Sequence, residues 1–191
     1  MSRHAQVTRL TVPVSDGDHS IGPIDAPVTL VEYGDYQCPY CGRAFPIVQE
    51  VRRRLGDQLR FVFRNFPLTQ IHEHAEHAAE VAEAAAAQGK FWPTHDWLFR
   101  HQFALDDEAL LEGAQELGLD VERVRRELAD STHRARVRED FLSGIKSGVN
   151  GTPTFYINGI RHDADYGLET LIAAIEAAAG SGLQDTLKRR E

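Results

Sequence analysis

Only two cysteines occur in this chain of 191 residues, and they lie three positions apart in "YQCPYC" (36 to 41). So few thiols exclude a disulfide-built secreted scaffold, which needs several bridges between distant loops. Long apolar runs are missing as well. "MSRHAQVTRLTVPVSDGDHSIG" holds no stretch of signal-peptide length. Nothing approaches the ~20 apolar residues of a membrane helix; "AAEVAEAAAAQG" comes nearest, and Glu80 and Glu83 interrupt it. Basic residues are outnumbered, 21 Lys and Arg against 29 Asp and Glu, for a net charge of -8. That balance excludes a broad nucleic-acid footprint. No internal repeat and no low-complexity linker divide the chain. With 42 % hydrophobic residues, it has enough apolar content and length to bury a core without staples. The expectation is a soluble, cytoplasmic protein with neither nucleic acid nor membrane as partner.

What is present is a succession of short apolar patterns. "APVTLVEYGD" (26 to 35) is short, β-branched and followed by turn residues, so it reads as a strand that runs into the cysteines. In "RAFPIVQEVRRRL" the spacing of Phe45, Val48 and Leu55, with Ile47 and Val51 alongside, is helical, and Gly56 closes that helix. Leu59, Phe61 and Phe63 alternate as in a second strand, which Pro67 stops. Strand, helix, strand over ~40 residues is the parallel βαβ pattern.

From about 69 to 147 the patterns are helical. "IHEHAEHAAEVAEAAAAQG" ends at Gly89, "WPTHDWLFRHQF" carries Pro93 in its first turn, and Asp106 and Asp120 lie where N-caps belong. "THRARVREDFLSGIKSG" supplies one more helix. Strand character returns in "PTFYI" and "IRHD", joined by Asn158-Gly159 as in a tight hairpin. "LETLIAAIEAAAG" reads as a closing helix, and "LQDTLKRRE" (183 to 191) as a fraying tail. The outline is a βαβ–ββα sheet-and-helix domain with a helical block inserted.

Cys38 falls at the strand-to-helix junction. Unpaired N–H groups and the helix dipole favour negative charge there, which lowers a thiol pKa. Pro39 suits the first turn, and Cys41 lies one turn further on the same side. As a redox couple, Cys38 is the exposed attacker and Cys41 resolves. A metal clip would need four ligands, and one C-x-x-C supplies two. His72, His74 and His77 lie in "IHEHAEH"; His74 and His77 share a helical face, though such residues equally make a polar helix start. A purely structural pair is the third reading.

The residues "VEYGDYQCPYC", "GTPTFYING" about 110 positions later, and "GKFWPTHDWLF" between them resemble the DsbA-like branch of the thioredoxin superfamily over about 23 to 180. The resemblance implies an α/β thioredoxin-like fold, spanning 1–182 as segments 1–68 and 148–182, interrupted by a 69–147 helical insertion, with 183–191 as C-terminal tail. It implies protein disulfide oxidoreductase activity with no cofactor beyond a redox-active Cys38–Cys41 disulfide, acting on protein or small-molecule thiols and disulfides. Thr152 and Pro153 look like the family's Thr and cis-Pro beside the cysteines. With Pro39 and Tyr40 they would contact substrate. Glu32 resembles the buried acid beneath the second cysteine; burial should raise its pKa and suit it to exchange a proton with Cys41. Pro46 matches the kink proline of the active-site helix. A basic partner for the acid would come from Arg60 or Arg64, unless Phe61 takes that place.

The chain departs from the pattern in two ways. The exported oxidases carry a leader, and none shows here. The dipeptide between the cysteines is Pro-Tyr, not Pro-His, so Tyr40 brings no charge to a thiolate and a less oxidising couple is expected. Pro-Tyr also occurs in glutaredoxins, which makes a glutathione-linked reductase one alternative. A chaperone-like or zinc-holding binding protein is the other.

Overall fold

Apart from Thr29 and Glu32 the strand Val28–Gly34 is apolar, and all of it but Thr29 is buried, so both its faces are covered and it forms the centre of the sheet. The structure, a computed structural model, describes residues 7–188. In chain order it contains β1 (His19–Ile21), β2 (Val28–Gly34), α1 (Pro39–Leu55), β3 (Leu59–Asn65), α2 (Ala75–Ala86), α3 (Phe91–Arg100), α4 (Asp107–Glu116), α5 (Val121–Ala129), α6 (Arg134–Lys146), β4 (Thr154–Ile157), β5 (Ile160–His162) and α7 (Leu168–Lys188). The sheet order is β1-β3-β2-β4-β5. β2 and β3 are parallel, with Leu30 opposite Phe61 and Glu32 opposite Phe63. β4 joins the other side of β2 antiparallel, with Glu32 opposite Phe155.

Alternation along the strands sorts the core. Val28, Leu30, Phe61 and Phe63 face one way and pack in one continuous cluster with residues of α1, α7 and the helices α2 to α5. Val31, Tyr33, Val62 and Tyr156 face the other way, toward Phe66, Val149 and Phe141 of α6. The helices between β3 and β4 therefore share a core with the sheet. α6 packs so closely that a methyl group added at Gly144 would lie 2.7 Å from the Phe66 ring and 3.0 Å from Tyr33. Both rings are fully buried. Gly144→Ala is expected to cost about 1–3 kcal/mol through overpacking, read as a lowered Tm; an unchanged Tm would show that the rings give way.

Local chemistry explains the element ends. Asp106 and Asp120 accept from the backbone N–H groups of Ala109 and Arg123 and cap α4 and α5. Asn158 and Gly159 both have positive φ, 47° and 77°, as the two-residue hairpin between β4 and β5 requires. Residues 8–10 run along the outer side of that hairpin, with Leu10 N–H donating to Gly159 and Arg161 N–H to Thr8. Two sequence expectations change. β1 was not foreseen: "HSI" is three residues long and has no apolar alternation, and only its antiparallel register with β3 makes it a strand. α7 continues to Lys188, so residues 183–188 are helical rather than a fraying tail; residues 189–191 lie outside the described residues. Among the described residues no helix is long and apolar enough to cross a membrane.

Candidate active site

β2 ends at Gly34 and α1 begins at Pro39, so the intervening turn carries Cys38 to the N-cap of α1 with φ -70° and ψ 121°. Pro39 occupies the first helical position, where its missing N–H costs no bond. No side chain caps this helix, so its first-turn N–H groups remain available to the Cys38 sulfur. Both cysteines are free thiols. The Cys38 pKa falls to about 5. The Cys41 thiol, donating to the Cys38 sulfur, is the main cause; burial opposes it, and a contact with Thr152 and the N–H groups of Cys41 and Tyr40 reinforce it. The Cys41 thiol is pushed well up, first by burial, then by that same hydrogen bond and by the charge of Glu32. A C-x-x-C pair at a helix start thus becomes two unlike thiols.

Cys38 is less accessible than the sequence suggests: it is 3 % exposed, and Cys41 is fully buried. The loop before β4 lies over it, and Cys38 Sγ donates to the Thr152 carbonyl at 3.4 Å. The Thr152–Pro153 peptide is cis. Thr152 Oγ1 is buried with no partner. A Cys38 thiolate can no longer donate to the carbonyl, and this hydroxyl is a donor at hand. Tyr40 is 56 % exposed, and the Arg43 guanidinium lies 4.4 Å above its ring.

Glu32 lies in the middle of β2, 2 % exposed, with Oε1 lacking any partner. Burial raises its pKa to about 8, helped by the nearby Cys38 charge. The expected basic partner is absent from this spot. Strand alternation turns Arg60 and Arg64 to the opposite face, and Phe63 is the register neighbour of Glu32. Arg60 donates to Ser20 Oγ. Arg64 is buried in a separate network, donating to both Asp18 carboxylate oxygens, the Val12 and Pro13 carbonyls and Tyr33 Oη.

Several residues that hold the site carry no local signal in the sequence. The buried Asp35 accepts from the Gln37 backbone N–H (2.7 Å), the Leu68 N–H (2.8 Å) and His72 Nδ1 (2.7 Å). Its own N–H donates to Cys41 Sγ at 3.5 Å. Gln37 Oε1 accepts from the His74 N–H. The cysteine turn is thus sewn to the loop after β3. Tyr36 Oη and His95 Nδ1 share a hydrogen bond at 3.1 Å. Burial depresses His95 to about 3, so its ring is neutral. Of the histidines weighed as metal ligands, His72 is engaged with Asp35 and His77 with Asp107. Among the described residues no group of three or more His, Cys, Asp or Glu side chains is placed to hold a metal.

A thioredoxin-like sheet with a dithiol at the start of α1 defines a class, and the comparisons agree with it. The sequence model of the thioredoxin family matches residues 14–177. The chain belongs to that family. A thioredoxin-like oxidoreductase from Silicibacter pomeroyi superposes with a TM-score of 0.76 at 30 % identity, covering 86 % of this chain and 93 % of that one. Oxidised BdbD from Bacillus subtilis gives 0.75 at 27 % identity, covering 86 % and 94 %. Among curated sequences, Na(+)/H(+) antiporter NhaA 1 of Salinispora arenicola is 49 % identical over 177 residues. That match takes in 92 % of this chain and 27 % of the antiporter. The chain spans about a quarter of the length of the curated relatives it matches.

Proposed function

We propose that the protein exchanges a Cys38–Cys41 dithiol and disulfide with protein or small-molecule thiol substrates. The observation that carries this reading is the placement of the two thiols, Cys38 at the N-cap of α1 against the Thr152 carbonyl and Cys41 fully buried one turn on, which pulls one down to about 5 and pushes the other well up. In the reducing direction the Cys38 thiolate attacks one sulfur of a substrate disulfide, forming a mixed disulfide and releasing the first substrate thiolate. Cys41 then gives its proton to the Glu32 carboxylate and attacks Cys38 Sγ. The Cys38–Cys41 bond forms, and the second substrate thiolate leaves. Two electrons pass from the protein to the substrate, and oxidation runs the same steps backward. Once Cys38 is bonded to substrate it carries no negative charge. Glu32, raised partly by that charge, then ionises more readily, just when a base is needed. Pro39, Tyr40, Thr152 and Pro153 border the approach to Cys38 and are the surfaces a substrate would meet.

Direction follows from potential. Against a glutathione pool, a couple near about -270 mV would act as a reductase or isomerase, whereas one near about -120 mV would oxidise. Lacking a histidine between the cysteines, this couple should lie between those values; equilibration with glutathione measures it. Antiport, named for the Salinispora relative, is no part of this reading, since the match takes in 27 % of that protein. The primary test is insulin disulfide reduction, with oxidation of a reduced peptide as the reverse assay. Turnover in either direction is expected, and none in both would overturn the proposal.

Glu32→Gln is expected to slow turnover roughly 10- to 100-fold near neutral pH, within reach of general acid–base effects. It should leave the fold intact, because Oε1 makes no hydrogen bond to lose. Rates unchanged across the pH range would remove Glu32 from the proton path.

A further inference from the structure

Gln102 lies between α3 and α4, 64 positions from Cys38, yet its side chain ends on the cysteine turn. Nε2 donates to the Tyr36 carbonyl at 2.8 Å and to the Cys38 carbonyl at 2.9 Å. Both partners are acceptors only, so the amide nitrogen must face them. The Cys38 carbonyl also accepts from the Gly42 N–H at 3.0 Å, an opening hydrogen bond of α1. The other end of the amide fills the space beside Gly42, where an added methyl would lie 1.9 Å from Gln102 Oε1. Nor is Gln102 a free surface side chain. Its neighbour His101 stacks on Trp97 at 4.1 Å and 18°. Leu105 is buried in the core, and the Ala104 N–H donates back to the His101 carbonyl.

We propose that Gln102 is a positioning residue for Cys38: from the helical block it fixes the Tyr36–Cys38 turn, and Gly42 is glycine because Gln102 occupies the space of a side chain. The inference rests on the exchange reading above and adds a residue that reaches the reacting sulfur only through the backbone. The physical link is short. The first-turn N–H groups of Tyr40 and Cys41 support a charged Cys38 sulfur. They do so only while the turn holds that sulfur over them, and Gln102 satisfies the two carbonyls that would otherwise let the turn relax. Glu32 and Cys41 are the other titrating groups around Cys38, and Gln102 substitutions leave both in place.

Four variants test this: Gln102→Ala, Gln102→Glu, Gly42→Ala, and Gly42→Ala combined with Gln102→Ala. Cys38 is titrated by thiolate absorbance and each protein is melted. Gln102→Ala should raise the Cys38 midpoint by about 0.5–1 unit, the size of one ordinary hydrogen bond. Gln102→Glu keeps the shape, but its carboxylate cannot donate to either carbonyl and repels the thiolate, so its rise should be larger. Gly42→Ala should lower Tm in the native background, where the methyl expels Gln102. With Gln102→Ala the space is vacant, alanine is the better helix former, and the same change should raise Tm. Gly42→Ala lowering Tm alike in both backgrounds overturns the proposal. So does a depressed native midpoint that neither Gln102 variant moves. A native midpoint near ~8.5 would instead bring down the exchange reading, and this proposal with it.

Discussion

Cys38→Ser should abolish exchange, whereas Cys41→Ser should still attack substrate and then stall as a mixed disulfide. With its pKa near 5, Cys38 is about 99 % thiolate at pH 7. Cys41, pushed well up by burial, holds almost none. A serine hydroxyl with no base beside it is no substitute nucleophile, so a loss of roughly three orders of magnitude or more is expected. In Cys41→Ser the first bond forms, but no second thiol remains to displace the substrate. The adduct should accumulate as a slower band on a non-reducing gel and vanish on reduction. The serine hydroxyl can still donate to the Cys38 sulfur, replacing the bond that most lowers it in the native protein, so trapping should still proceed at neutral pH. Alkylation of the reduced protein gives an independent check of order: Cys38 should be labelled first at neutral pH, despite its 3 % exposure. Labelling of Cys41 first would exchange the two roles.

Much of this site is written in local patterns. β2 follows from a short β-branched run before turn residues, β3 from the alternation of Leu59, Phe61 and Phe63, and the β4–β5 hairpin from Asn158-Gly159. The position of Cys38 at a helix start follows from a strand ending in turn residues before Pro39. Glu32 is legible through the resemblance, which implies an acid beneath the second cysteine; its residue type alone would favour a strand edge. Its surroundings are not legible, since they depend on the register between strands. Knowing that Glu32 lies opposite Phe63 removes Arg60 and Arg64 at once, because alternation puts both on the far face. Asp35–His72 and Gln102–Cys38 join segments 37 and 64 positions apart. No periodicity encodes such contacts; tertiary packing makes them. The exposure of Cys38 fails for the same reason: a helix start suggests an open thiol, and only the fold brings the Thr152 loop across it.

The second large effect is on stability as pH changes, and the two forms of the protein should differ. Cys38 titrates near 5 in the folded protein, below its unfolded value of ~8.5. The reduced form therefore gains stability that is complete above ~8.5 and is lost as pH falls through 5. Glu32 works in the opposite sense. Its folded value of about 8 lies above the unfolded ~4.3, so it penalises the folded state increasingly from ~4.3 up to 8. Between pH 5 and 8 these two contributions nearly cancel in the reduced protein, and His95, depressed to about 3, acts alike in both forms. The oxidised protein has no thiolate and keeps only the Glu32 penalty, eased by the loss of the Cys38 charge, so its stability should decline over the same range. Cys41, raised by burial, enters only at higher pH. Reduced minus oxidised stability should thus grow by about 2–4 kcal/mol from pH 5 to pH 8, the upper figure being three units of Cys38 titration. Urea unfolding of both forms at each pH unit measures it. A difference flat across this window would make Cys38 an ordinary thiol. A decline in both forms alike would take the activated nucleophile out of the mechanism.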